Sequence, residues 1–128
     1  MTEAQEFLDG LFGAKPKELF ILIWELPGRK SYWTPDVVQA AQYAETLAEW
    51  HDVYVGAGLA ARDPGPTKRA EAKDVAAIPG LWSDIDYAGP GHTQKNLPPG
   101  PNEARQLISM FPLPPNLVVD SGGGFNCW

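Results

Sequence analysis

Two aspartates, Asp84 and Asp86, stand two residues apart in the run Leu81-Trp82-Ser83-Asp84-Ile85-Asp86-Tyr87. The run is otherwise apolar and β-prone, and it is bounded by Pro79-Gly80 before and Gly89-Pro90-Gly91 after. In a strand, residues i and i+2 face the same way. The two carboxylates therefore project together, with Trp82 on their face and Ile85 opposite. Two like charges held that close are costly unless a cation or a proton lies between them. A hard divalent cation bound by carboxylate oxygens relieves the cost. The chemistry such a pair offers is to hold Mg²⁺ or Mn²⁺ against a triphosphate during in-line displacement. The plain alternative is an acid pair on the solvent face of an edge strand. The apolar setting and the facing tryptophan weigh against it.

A second candidate is Ser121-Gly122-Gly123-Gly124, which follows the apolar run Asn116-Leu117-Val118-Val119-Asp120. Three glycines let a backbone turn tightly and present N–H groups to an anion. A turn joining two hairpin strands reads equally well from the same residues. No G-x-G-x-x-G opens a helix and no Walker motif is present, so a nucleotide site here is of another kind. A third feature is the polar stretch 61–78, where Arg62, Lys68, Arg69 and Lys73 alternate with Asp63, Glu71 and Asp74. Such cations can clamp phosphate, although a solvated mixed-charge loop is the commoner meaning of any one of them. His51 and His92 lack metal-ligand spacing and read as surface residues.

The elements that must position these groups follow from periodicity and punctuation. Phe7, Leu8, Leu11 and Phe12 fall at helical spacing, which predicts a helix over 2–12 capped by Thr2. The unbroken run Leu19-Phe20-Ile21-Leu22-Ile23-Trp24 predicts a strand buried on both faces. Ser31-Tyr32-Trp33 reads as an aromatic lid or as loop residues on the core. Thr34-Pro35-Asp36 supplies an N-cap, a proline at N1 and a first-turn acid, predicting a helix over 35–50. A strand over 52–59 follows, its glycines marking a bulge or a close backbone approach. The acid-pair strand, a Gly/Pro-rich loop over 88–101, a helix over 102–110 with Pro101 at N1, and a strand over 116–120 complete the order. Helices and strands interleave, which indicates a single α/β (α+β) domain over 1–128 with a mixed sheet and flanking helices. The chain stops at Trp128 inside an apparent strand, which points to a fragment of a longer domain.

The totals narrow the classes. With 16 acidic and 10 basic residues the formal charge is −6, which argues against coating nucleic acid by bulk electrostatics but leaves room for a local basic groove. Cys127 is the only cysteine, so no intrachain disulfide forms and a reducing compartment is expected. The acidic, amphipathic start is unlike a signal peptide. No apolar run nears the roughly 20 residues of a membrane span. A cytoplasmic chain with no membrane partner is the expectation.

Taken in order, Pro79-Gly80-Leu81-Trp82-Ser83-Asp84-Ile85-Asp86, Ala88-Gly89-Pro90-Gly91-His92 and the run from Leu113 through Ser121-Gly122-Gly123-Gly124-Phe125 resemble the archaeo-eukaryotic primase superfamily. The nearest likeness is to the primase-polymerase domains of phages, plasmids and other mobile elements, over about 50–128 and more loosely the whole chain. The resemblance implies a mixed α/β unit joined to an RRM-like half. It implies that Asp84 and Asp86 hold the catalytic metals, Mg²⁺ or Mn²⁺, and that Ser121, Gly122, Gly123 and Gly124 contact the phosphates of an incoming NTP or dNTP. Arg62 and Lys73, ahead of the first motif, become phosphate-reaching candidates. Asn126 stands where the family has a histidine, and an amide can donate a hydrogen bond but carries no charge. The family's third motif, with a further metal-binding carboxylate, would fall beyond Trp128. The chain as given would then be catalytically incomplete.

The leading expectation is thus a DNA primase/polymerase domain, transferring nucleotides on a single-stranded DNA template during replication, with a helicase as an associated partner. The alternative is a catalytically inactive nucleotide- or DNA-binding module of the same fold. An Asp-x-Asp glycosyltransferase shares the metal logic, but nothing suggests a nucleotide-sugar pocket.

Overall fold

A computed structural model describes residues 1–128. The chain forms two compact units, Met1–Pro79 and Gly80–Trp128.

In the first unit, helix α1 spans Glu3–Phe12. The Thr2 side chain caps it by accepting from the Gln5 N–H, and Glu3 and Glu6 in the first turn suit the positive end of the helix dipole. Leu8 and Phe12, four residues apart, share its buried face. Strand β1 (Ile21–Leu26) is central in an antiparallel sheet ordered β2-β1-β3, with β2 at Ser31–Thr34 and β3 at Asp52–Val55. Ile21 and Ile23 face Leu8, Phe12 and the alanines of helix α2 (Val37–Ala48), while Leu22 packs with Trp33 and Ala60 on the other side. The strand is buried on both faces, as its unbroken apolar run predicts.

Four boundaries differ from the sequence reading. Ser31-Tyr32-Trp33 is neither lid nor loop, because it pairs with β1 from Trp24↔Ser31 to Ile21↔Thr34. That pairing uses Thr34, so the α2 cap passes to Asp36, whose carboxylate accepts from the Gln39 N–H at 2.9 Å. The expected strand over 52–59 divides: β3 ends at Val55, and Leu59–Ala60 (β4) pairs with Val75–Ala77 (β5). Gly56-Ala57-Gly58 offers almost no side chain to hold a ladder there. Stretch 61–78 consequently contains β5 and a 3₁₀ turn at Ala72–Asp74.

His51 is also more than a surface residue. Its Nδ1 lies 3.0 Å from the carboxylate of Glu25, which is only 2% exposed. Glu25 accepts hydrogen bonds from the Gly28 and Lys30 N–H groups at 3.0 and 3.2 Å. A buried carboxylate is tolerable only with such partners. Glu25→Gln keeps the shape but turns an amide donor toward donors. It should cost about 1 kcal/mol in urea unfolding.

In the second unit, strands β6 (Ser83–Asp86), β7 (Val118–Asp120) and β8 (Gly124–Cys127) form an antiparallel sheet ordered β6-β8-β7. Helix α3 (Pro101–Ser109) starts with Pro101 at N1, one residue ahead of the predicted start. Its Ala104 meets Phe125 and Cys127, with Ile85, Tyr87, Ile108 and Phe111 packed around them.

The protein is therefore a mixed α/β chain of three helices. Its strands fall into three small antiparallel sheets instead of one mixed sheet. Short links such as those between β1 and β2 or β7 and β8 permit antiparallel pairing, whereas parallel pairing needs a crossover. No helix is long and apolar enough to cross a membrane.

Candidate functional site

Strand register builds the site. β6 runs antiparallel to β8 with Asp84 opposite Asn126 and Asp86 opposite Gly124. The two sequence features singled out above, 42 residues apart for Asp84 and Asn126, are thus neighbouring strands. Alternation places Asp84, Asp86, Gly124 and Asn126 on one face. Ile85, Phe125 and Cys127 occupy the other, where they form the core with Ala104 of α3. A strong apolar demand on one face fixes which face the acids take, because a one-residue slip would bury both carboxylates.

Three local contacts shape the acid face. The Asn126 Nδ2 donates to Asp84 Oδ1 at 2.7 Å. Gly124 makes room for Asp86: a Cβ there would lie 2.7 Å from Asp86 Oδ1 and 2.8 Å from the Ile85 carbonyl oxygen. Glycine is required by this approach. Tyr87 then fastens the acid strand to the glycine turn, its N–H donating to the Gly123 carbonyl at 3.2 Å and its hydroxyl to the Gly122 carbonyl at 3.0 Å.

The glycine turn is the link between β7 and β8, so the hairpin reading of those residues describes its backbone. Gly122 has φ +86°, a conformation suited to glycine. Its N–H donates to Asp120 Oδ1 at 2.9 Å. The Ser121 N–H and hydroxyl both donate to the Gly124 carbonyl, at 2.9 and 3.0 Å. These donors of the turn are engaged within the turn itself.

His92, which its spacing gave no reason to select, belongs to this face. Reciprocal backbone hydrogen bonds between Gly89 and His92 close a tight turn directly after β6. They bring the imidazole Nε2 to 3.6 Å from Asp86 Oδ1. The same ring lies over Gly123, where a Cβ would come within 3.0 Å of it. The only available signal was the Gly-Pro-Gly that precedes it. Cys127, on the opposite face, has its thiol pushed up in pKa by burial and then by the nearby Asp84 charge. It is thus kept protonated and unreactive.

Arg62 and Lys73 belong to the first unit, where with Lys68 and Arg69 they line an open pocket of about 860 Å³. Lys73 lies 3.0 Å from Glu71, and both are exposed. The structure thus gathers Asp84, Asp86, Ser121, Gly122, Gly123, Gly124 and Asn126 in one small sheet, and assigns Arg62 and Lys73 to a separate pocket.

No group of three or more His, Cys, Asp or Glu side chains converges as a metal cluster. The exposed Asp84 and half-buried Asp86 carboxylates nonetheless fit Mg²⁺ or Mn²⁺ in chemical type, because Mg²⁺ is commonly held by one or two carboxylates with water and substrate phosphate completing its shell. No protein-family model, curated protein or solved structure matches this chain.

Proposed function

We propose that the chain is a primase-polymerase-like domain, in which the second unit binds a nucleoside triphosphate through a divalent cation. The observation that supports this most is the pairing of β6 with β8. It sets an Asp-x-Asp pair beside a Ser-Gly-Gly-Gly-Phe-Asn hairpin on one sheet. Asp84 and Asp86 would hold Mg²⁺ or Mn²⁺, which supplies charge neutralisation at the triphosphate during in-line displacement. Asn126 orients the Asp84 carboxylate by its amide hydrogen bond. Gly124 leaves the Asp86 carboxylate space to lie against β8. His92 offers an imidazole beside Asp86 that can donate to a phosphate oxygen. The work of the protein is positioning and electrostatics, with no covalent intermediate.

A second reading has specific support. The Asn126 amide is committed to Asp84, and the Gly122 N–H to Asp120. Both reduce what is left for a triphosphate, and both suit a nucleotide- or DNA-binding module without turnover.

Primer extension on a single-stranded DNA template with Mn²⁺ separates the two. Incorporation by the wild-type chain that disappears in Asp84→Ala supports the enzyme. Turnover that rises in Asn126→His would assign the amide as its limitation. Metal-dependent nucleotide binding, lost in Asp84→Ala and never accompanied by turnover, would assign the binding module. Nucleotide binding indifferent to both aspartates would contradict both readings.

A further inference from the structure

The face of the first sheet turned away from α1 and α2 is unlike an ordinary covered sheet face. Alternation along β1 puts Leu22, Trp24 and Leu26 there, and the register Trp24↔Tyr54 adds Tyr54 from β3. Leu22 is covered by Trp33 and Ala60. Trp24 is only half-buried, and Tyr54 is 48% exposed. The two rings lie 5.4 Å apart at 51°. The guanidinium of Arg69 sits 4.5 Å above the Trp24 ring. Its loop is pinned there by the Trp33 Nε1–H, which donates to the Lys68 carbonyl at 3.0 Å, and by Ala70, held at φ +64°. A non-glycine residue in the left-handed region costs about 1–2 kcal/mol. The surroundings therefore impose this arrangement on the loop.

These rings line an open pocket of about 600 Å³ walled on one side by Gly56-Ala57-Gly58. It shares Arg69, Ala70 and Val75 with the larger pocket carrying Arg62, Lys68 and Lys73. The two pockets adjoin at these residues, the smaller one aromatic and the larger one carrying most of the cations. Residues 62–74 hold four cations, Arg62, Lys68, Arg69 and Lys73, against three acids, Asp63, Glu71 and Asp74. Asp63 lines the larger pocket while accepting from the Gly65 N–H, and Lys73 pairs with Glu71 at 3.0 Å, so the excess of positive charge there is small. In a chain of net charge −6 this is a local reversal of sign.

We infer that these adjoining pockets bind single-stranded nucleic acid, one or two bases resting against Tyr54, Trp24 and Arg69 and the adjoining phosphates against Arg62, Lys68 and Lys73. An exposed tyrosine ring beside a half-buried tryptophan and a run of cations matches a strand whose bases are unstacked and whose charges repeat. A duplex hides its base faces, and an apolar peptide has no use for the cations. The inference rests on the proposed function for the choice of DNA, but it is tested without metal or nucleotide triphosphate. Its failure and the failure of the acid-pair reading are therefore separately visible.

The test is fluorescence anisotropy of a labelled thymidine oligomer of about ten nucleotides, with the full chain, at about 50 and about 200 mM salt in chelator. Binding should weaken about tenfold or more in Tyr54→Ala, remain near wild type in Tyr54→Phe, and weaken in Arg69→Gln. Lys68→Gln with Lys73→Gln should flatten the salt dependence while leaving the tryptophan quenching by bound bases in place. No binding at the lower salt, equal affinity for the same sequence as a duplex, or Tyr54→Ala and Arg69→Gln binding like wild type would each overturn the inference. Thymidine monophosphate competing as strongly as the oligomer would assign a mononucleotide pocket and overturn it as well.

Discussion

Replacing both acids, as Asp84→Ala with Asp86→Ala, is expected to lower metal-dependent nucleotide incorporation by about a thousandfold, the several kcal/mol that a bound cation contributes to charge stabilisation at phosphorus. The accompanying stability change is the discriminating part. Asp84 is exposed, and its recorded hydrogen bond is with Asn126, a partner that water can replace. Asp86 is about one-third exposed and sits over a glycine. Neither carboxylate contributes to the apolar core beneath the sheet, which is made by Phe125, Cys127 and Ala104. Removing two like charges from one strand face should leave urea stability unchanged or raise it by about 0.5 kcal/mol in metal-free buffer. Acids that served only the fold would behave in the opposite way, lowering stability with no separate effect on metal-dependent chemistry. Retention of a functional pair at some cost to the free protein is the pattern expected of a binding site.

Gly124→Ala should destabilise the protein by about 3 kcal/mol, at the upper end for an added methyl in a close-packed place. The new Cβ meets two atoms of different mobility. Asp86 Oδ1, at 2.7 Å, can swing aside. The Ile85 carbonyl, at 2.8 Å, belongs to the backbone of the strand paired with β8 and cannot move without loosening the ladder. Gly122→Ala is the control. Its surroundings are open, and its φ of +86° is the sole obstacle, costing about 1–2 kcal/mol. Thermal melts should rank Gly124→Ala below Gly122→Ala, and only the former should also displace Asp86 and weaken metal binding. Equal melting of the two variants, or a Gly124→Ala chain with wild-type metal affinity, would show that the close approach of Asp86 to β8 is not a constraint.

What the sequence made legible is what local pattern can carry. The acid pair sits in a strand because Leu81 to Tyr87 alternates and is bounded by glycine and proline, and Pro101 opens α3 because its ring suits a first helical turn. What stayed hidden needed register. Ser31 to Thr34 is too short to announce a strand, and it becomes one by pairing with β1. Thr34 and Asp36 are equally good caps in isolation, and the claim of the ladder on Thr34 decides between them. Glu25 and His51 meet because Leu26 pairs with Asp52, which sets the imidazole beside the buried carboxylate. The resemblance sets Asn126 in the place of a phosphate-contacting histidine. Its cross-strand position makes it first a partner of Asp84. His92 was marked only by the Gly89-Pro90-Gly91 before it, and a four-residue turn carried it to Asp86.

The proposed function requires that Asp84 and Asp86 bind a divalent cation together with a nucleoside triphosphate. Its most direct measurement is a Mn²⁺ titration of the full chain, followed by electron paramagnetic resonance with and without a deoxynucleoside triphosphate. Mn²⁺ binding should tighten when the nucleotide is present and be lost in Asp84→Asn with Asp86→Asn, whose folded state is otherwise intact. A double variant that takes up Mn²⁺ and nucleotide as the wild-type chain does would contradict it.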